Sequence, residues 1–156
     1  MEIKETISVW LMLDDGDNKG KFVLQQRSLK NATFPYVCQA TWAGKMEIGE
    51  DPNSTIKREC EEELGSDFSK NFDFSKLKLF QNNNFAMNGK EWLCHNYVGT
   101  VSSESMKTVK IHDEAMPEVI FIGRHDIFFS LESNKDPKDS VVLFNDQYKI
   151  LKDILK

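Results

Sequence analysis

An α/β fold built on a mixed sheet, with helices packed against it, is predicted by the order of segments along this chain: strands, a helix, more strands, a final helix. Three observations carry that prediction. The first is a pair of strand-like runs, residues 3–13 and 22–27, rich in β-branched and apolar residues. The second is a helix over Pro52–Leu64 with signals at both ends. The third is Asn88-Gly89, a strong two-residue hairpin signal between the strand-like runs 77–87 and 91–101.

The elements follow in order. Asp14-Asp15-Gly16-Asp17-Asn18-Lys19-Gly20 is a turn cluster, so the first two strands form a hairpin. Residues 28–39, with Asn31, Pro35 and Tyr36, read as a surface loop. Residues 40–43 read as a short strand leading to Gly44. In the helix, Asp51 is suited to the N-cap, Pro52 to the first position and Gly65 to the position just past the end. Ile56, Cys60 and Leu64 recur every four residues and form a stripe that can face a core. Residues 118–122 are a further strand. Residues 141–155 read as a terminal amphipathic helix, with Phe144, Tyr148, Leu151 and Leu155 on one face and Asp139 or Ser140 as its cap. There is no internal repeat, low-complexity tract or linker, so residues 1–156 are expected to form one domain.

Composition narrows the class. The hydrophobic share is 40% and the charged share 29%, as in an ordinary soluble domain. A net charge of −5 makes nucleic acid an unexpected partner. No apolar stretch is long enough to span a bilayer, and the N-terminus lacks a basic region followed by an apolar run. Cys38, Cys60 and Cys94 are odd in number and lack metal-type spacing, which suits reduced thiols in a cytoplasm. His95, His112 and His125 are isolated and form no zinc pattern.

The chemistry is concentrated at the end of the helix. Glu59, Glu62 and Glu63 stand at i, i+3 and i+4 and share one face. They lie in the last two turns, where the helix dipole is already negative, so the chain places like charges where they repel. A hard divalent cation with oxygen ligands would offset this. A Glu-rich helix is more often only a solvated face. The wider spacing outweighs that reading: Gly44, five residues, Glu50, seven residues, Arg58-Glu59, an apolar slot held by Cys60, one residue, Glu62-Glu63, one residue, Gly65.

In this spacing the segment closely resembles the signature of the Nudix hydrolases. It departs from that pattern mildly at Cys60, and at Ser66, where the family usually has an aliphatic residue. The resemblance implies a Nudix-type α/β/α sandwich with a mixed β-sheet. It implies a metal-dependent hydrolase that cleaves a diphosphate linkage in a nucleoside diphosphate joined to another group. Glu59, Glu62 and Glu63 would hold Mg²⁺, with Mn²⁺ as the alternative, and the Gly44 carbonyl would join them. Arg58 would clamp a motif carboxylate, Glu50, with an i, i+4 pair to Glu62 as the plainer reading. Glu61 points off the acidic face and is expected to be solvated. The general base would be a motif Glu or a loop acid, with Glu114 and Glu118 as candidates. Arg27 and Lys45 are candidate phosphate cations. Trp42, Phe34, Tyr36, Phe85 and Trp92 are candidates to stack a base, although aromatics in strands are more often core. The expected partner is a small nucleotide-type molecule, with a homodimer as the expected assembly. Two other readings stand beside this one. An isopentenyl-diphosphate isomerase-like enzyme shares faint similarity at Thr33-Phe34-Pro35 and Trp42-Ala43-Gly44-Lys45, but Ala43 and Lys45 occupy its thiol and histidine positions. A non-catalytic module of the same fold would usually have lost motif carboxylates, and here all are present.

Overall fold

The structure is a computed structural model and describes residues 3–28, 33–111 and 118–156. Its strands are β1 (Lys4–Leu13), β2 (Phe22–Gln26), β3 (Cys38–Gln39), β4 (Trp42–Lys45), β5 (Lys78–Met87), β6 (Lys90–Val101), β7 (Glu118–Ile122), β8 (Phe129–Ser130) and β9 (Val142–Leu143). The helices are α1 (Pro52–Leu64), α2 (Ser66–Asn71), α3 (Ser103–Met106) and α4 (Asn145–Ile154). The strands join in the order β5-β6-β1-β2-β3-β9-β8, with β4 also on β1 and β7 also on β2. The sheet is mixed, as the sequence predicts.

β1 organises it. One edge pairs in parallel with β6 from Lys4↔Trp92 to Leu13↔Val101. The other edge divides: its first half takes β4, Thr6↔Lys45 to Val9↔Trp42, and its second half takes β2 at Leu11↔Val23. β2 and β4 therefore part from each other along one strand, and Gly44 lies beside that fork.

Strand alternation supplies two cores. Ile7, Val9, Leu11 and Leu13 pack with Ile56, Cys60 and Leu64 of α1 and with Phe68. Trp10 and Leu24 pack on the other face with Ile150 and Leu151 of α4. Helices on both faces complete the α/β/α sandwich. α1 begins as the sequence predicts: Asp51 Oδ1 accepts from Ser54 N at 2.8 Å, and Pro52 takes the first helical position. Between β5 and β6, Asn88 and Gly89 turn the chain with φ of 54° and 72°.

Three readings are corrected. Val37 and Cys38 are buried, and Cys38–Gln39 forms β3, so the loop over 28–39 ends in the sheet. The terminal helix does not start at 141. Val142 and Leu143 are fully buried and extended, pairing with β3 and β8, so the helix begins only after them. Neither Asp139 nor Ser140 caps α4; the N-cap residue is Phe144, with no side-chain cap bond.

Candidate active site

β4, the loop after it and α1 form one unit held by Arg58. Arg58 Nε and Nη2 donate to the two oxygens of Glu50, each at 2.8 Å. Nη2 also donates to the Lys45 carbonyl at 2.9 Å, and Nη1 to Glu59 Oε1 at 2.8 Å. The two-pronged contact binds the helix to its entry loop, as the clamp reading requires. The plainer i, i+4 contact to Glu62 is present too, but longer, at 3.5 Å. Glu50 also accepts from Glu47 N at 2.8 Å and from the Thr55 hydroxyl at 3.0 Å. The Arg58 bonds, followed by the Glu47 amide, hold its carboxyl down at about 2.

The three predicted site glutamates separate. Glu59 and Glu63 turn toward β4, while Glu62 keeps a side chain 58% exposed. A Cβ on Gly44 would lie 2.1 Å from Glu59 Cδ, so only glycine lets this carboxylate approach the strand. Glu63 accepts from Gln25 Nε2 at 3.0 Å and from Ala43 N at 3.3 Å. The Glu59 and Glu63 carboxyls are close enough to hydrogen-bond each other. Burial pushes Glu63 well above the usual carboxylate range, and Glu59 beside it pushes the same way. Burial also raises Glu59, against the opposing pull of Arg58. Among the described residues, no three acidic, histidine or cysteine groups converge into a ready-made cation cage. What is brought together is a half-buried carboxylate pair against the Gly44 backbone, with Glu62 one step outward. Glu61 is exposed, as expected.

A cleft of about 920 Å³ opens between the sheet and α4 and reaches this unit at Ala43, Gly44 and Lys45 of β4. Gly44, Lys45 and Arg27 line it, along with Phe34, Phe85 and Phe144. Arg27 donates from Nε to the Thr33 carbonyl at 2.9 Å and lies 5.7 Å from the centre of the Phe144 ring. Lys45 Nζ stands 5.1 Å above Trp92. Phe34 is 47% exposed and meets Phe144 edge-on at 5.4 Å.

The stacking role for Trp42 is corrected. Its ring is fully buried, packed edge-on against Phe68, Phe72 and Phe74, and its Nε1 donates to Ile56 O at 3.0 Å. It offers no face to a ligand. Trp92 is only 5% exposed and stacks on Phe85. Glu114 lies outside the described residues. Glu118 opens β7 opposite Gln26. Two residues escaped the sequence reading: Phe144, which lines the cleft but was assigned to a helix face, and Gln25, which is buried behind Glu63. The available signal for Gln25 was parity, because it shares the core-facing side of β2 with Val23.

A family model described as NUDIX domain matches residues 4–145. Comparison with curated proteins finds no match. Among solved structures, the chain is similar to a Nudix hydrolase from Alicyclobacillus acidocaldarius, with a TM-score of 0.65, 10% identity, and coverage of 99% of this chain and 92% of that chain. It is similar to a MutT protein from Methanosarcina mazei Go1, with a TM-score of 0.63, 16% identity, and coverage of 99% and 95%. An Ap4A hydrolase from C. elegans, solved as a binary complex, gives a TM-score of 0.55 at 16% identity, covering 80% of this chain and 82% of that chain. At these identities the likeness is one of fold.

Proposed function

The chain belongs to the Nudix family, and from that premise we propose that it is a divalent-metal-dependent diphosphatase acting on a nucleoside diphosphate joined to a second group. One observation supports this most: two half-buried carboxylates, Glu59 and Glu63, face each other beside a glycine whose missing side chain makes room for one of them. Such a pair fits a hard cation, because carboxylate and carbonyl oxygens are its preferred donors. Glu59, Glu63 and the Gly44 carbonyl would hold Mg²⁺ or Mn²⁺, with Glu62 joining from the exposed side. A cation held there supplies positive charge that neutralises the diphosphate and activates water.

The remaining steps belong to the chain. Arg27 and Lys45, on the cleft wall, meet the phosphate oxygens. Phe34, Phe85 and Phe144 give the cleft apolar ring surface suited to a planar base. Water attacks one phosphorus, the bond to the bridging oxygen breaks, and a phosphate-type group leaves with that oxygen. The proton from water passes to a motif carboxylate or to Glu114. Arg58 keeps the loop and helix in register without touching substrate.

The test is a panel of nucleoside diphosphate derivatives, incubated with Mg²⁺ and separately with chelator, reading the released phosphate products. Mg²⁺-dependent cleavage of one class is the expected result. No cleavage by a folded protein that binds Mg²⁺ overturns the proposal in favour of a binding module or the isomerase chemistry.

A further inference from the structure

Gln25 is a fully buried amide on a strand face otherwise given to the core. Its Nε2 donates twice, to the Thr41 carbonyl at 2.7 Å and to Glu63 Oε1 at 3.0 Å. Thr41 O can only accept, so the amide must turn its NH₂ group to it, and the same group reaches Glu63 Oε1. Its orientation is therefore set by chemistry. Its own oxygen, also buried, has no partner among the described residues.

An amide serving the fold alone would be a poor choice here. Capping the Thr41 carbonyl needs only one of its N–H groups, and the amide still leaves its own buried oxygen unpaired among the described residues. Its two donor bonds instead tie Glu63 to the backbone of the segment leading into β4. Thr41 is itself fixed, its hydroxyl donating to Val23 O and accepting from Leu11 N at 2.9 Å. Glu63 Oε2 takes Ala43 N from the same segment. The Glu63 carboxylate is thus held at both oxygens by groups anchored to β2 and β4, the two strands that part along β1.

We infer that Gln25 is a positioning residue, fixing the Glu63 carboxylate for cation binding. The inference rests on the proposed function, in which Glu63 is a cation ligand. It acts through Glu63 and touches neither substrate nor cation.

The test titrates Mn²⁺ into the unsubstituted protein and into Gln25→Leu, without substrate, by electron paramagnetic resonance. Gln25→Met is a second variant of closer length should Gln25→Leu fail to fold, and thermal melts confirm folding. Loss of such an outer partner is expected to weaken Mn²⁺ binding roughly 10–100-fold, and to lower kcat with KM little changed. In a Glu63→Gln background the same substitution should change Mn²⁺ affinity less than about twofold, because its route is gone. Unchanged affinity in a folded Gln25 variant, or an equal loss in the Glu63→Gln background, overturns the inference while leaving the proposed function standing. No Mn²⁺ uptake by the unsubstituted protein removes both.

Discussion

Glu50 and Glu63 lie on either side of Arg58 in one continuous segment, and the fold treats them in opposite ways. Glu50 receives a forked guanidinium, a backbone amide and a hydroxyl, and its carboxyl is held down at about 2. Glu63 receives an amide side chain and one backbone N–H, and burial beside Glu59 raises it. Among the described residues, no lysine or arginine forms an ion pair with it. A carboxylate whose work is structural is given a cation by the protein. Glu63, the proposed cation ligand, is half-buried, oriented and left without one, while Glu59 beside it keeps a bond from Arg58.

The largest expected effect breaks that contrast on the Glu63 side. Glu63→Gln or Glu59→Gln should lower Mg²⁺-dependent turnover by more than about 100-fold, since even an outer partner of a metal ligand is worth roughly 10–100-fold. The same substitutions relieve a half-buried carboxyl pair whose ionisation is opposed by burial and mutual repulsion, so the melting temperature without metal should hold or rise. Steady-state rates and a chelated melt check both halves. Glu62→Gln should cost less than Glu63→Gln, because Glu62 is largely exposed. Equal rates for Glu63→Gln and the unsubstituted protein would remove the site.

Next comes Gly44→Ala. The added Cβ would occupy the space of the Glu59 carboxyl, 2.1 Å from Cδ, so Glu59 must turn away. Weaker Mn²⁺ binding, by about tenfold or more, is expected in a protein that still folds. Retained affinity would show that the cation does not need Glu59 against the strand.

The pH dependence of stability separates the two carboxylates by sign. Glu50 titrates lower in the folded state than in the unfolded chain, so its contribution is full above the ordinary carboxylate range and is lost as pH falls toward about 2. Glu63 titrates higher when folded, so the chelated protein loses stability as pH rises above that range. Without metal, the melting temperature should therefore fall between about pH 5 and pH 8. Saturating Mg²⁺ should flatten that slope by favouring the ionised form. A slope that is flat with and without Mg²⁺ would mean Glu63 is not buried as described.

How much of this the sequence disclosed follows from the range of the forces involved. The α1 boundaries, the Arg58–Glu50 clamp and the Asn88-Gly89 hairpin rest on neighbours close in the chain, where capping, turn chemistry and fixed spacing act. β9 was hidden because Val142 and Leu143 directly precede the helical stripe that starts at Phe144, and only β3 and β8 make them strand. Trp42 looked like a ligand platform because sequence alone cannot show which side of β4 meets α2 and its neighbouring phenylalanines. Gln25 was missed because its partner, Glu63, is far along the chain and meets it only when β2 and β4 are laid beside α1.

The smallest expected effect falls at Glu61, and it tests whether charge alone explains the site. Glu61 carries the same formal charge as its neighbours on the same last turns of α1, but its side chain is exposed, off the face that meets Gly44. Its carbonyl accepts from Gly65 N at 3.0 Å, and a substitution leaves that backbone bond alone. Glu61→Gln should therefore shift stability by no more than about 0.5 kcal/mol and leave Mn²⁺ affinity and turnover unchanged. Were its loss to weaken Mn²⁺ binding as Glu63→Gln does, the helix end would act as a diffuse negative field. Burial and orientation at Glu59 and Glu63 would then not be what selects the cation.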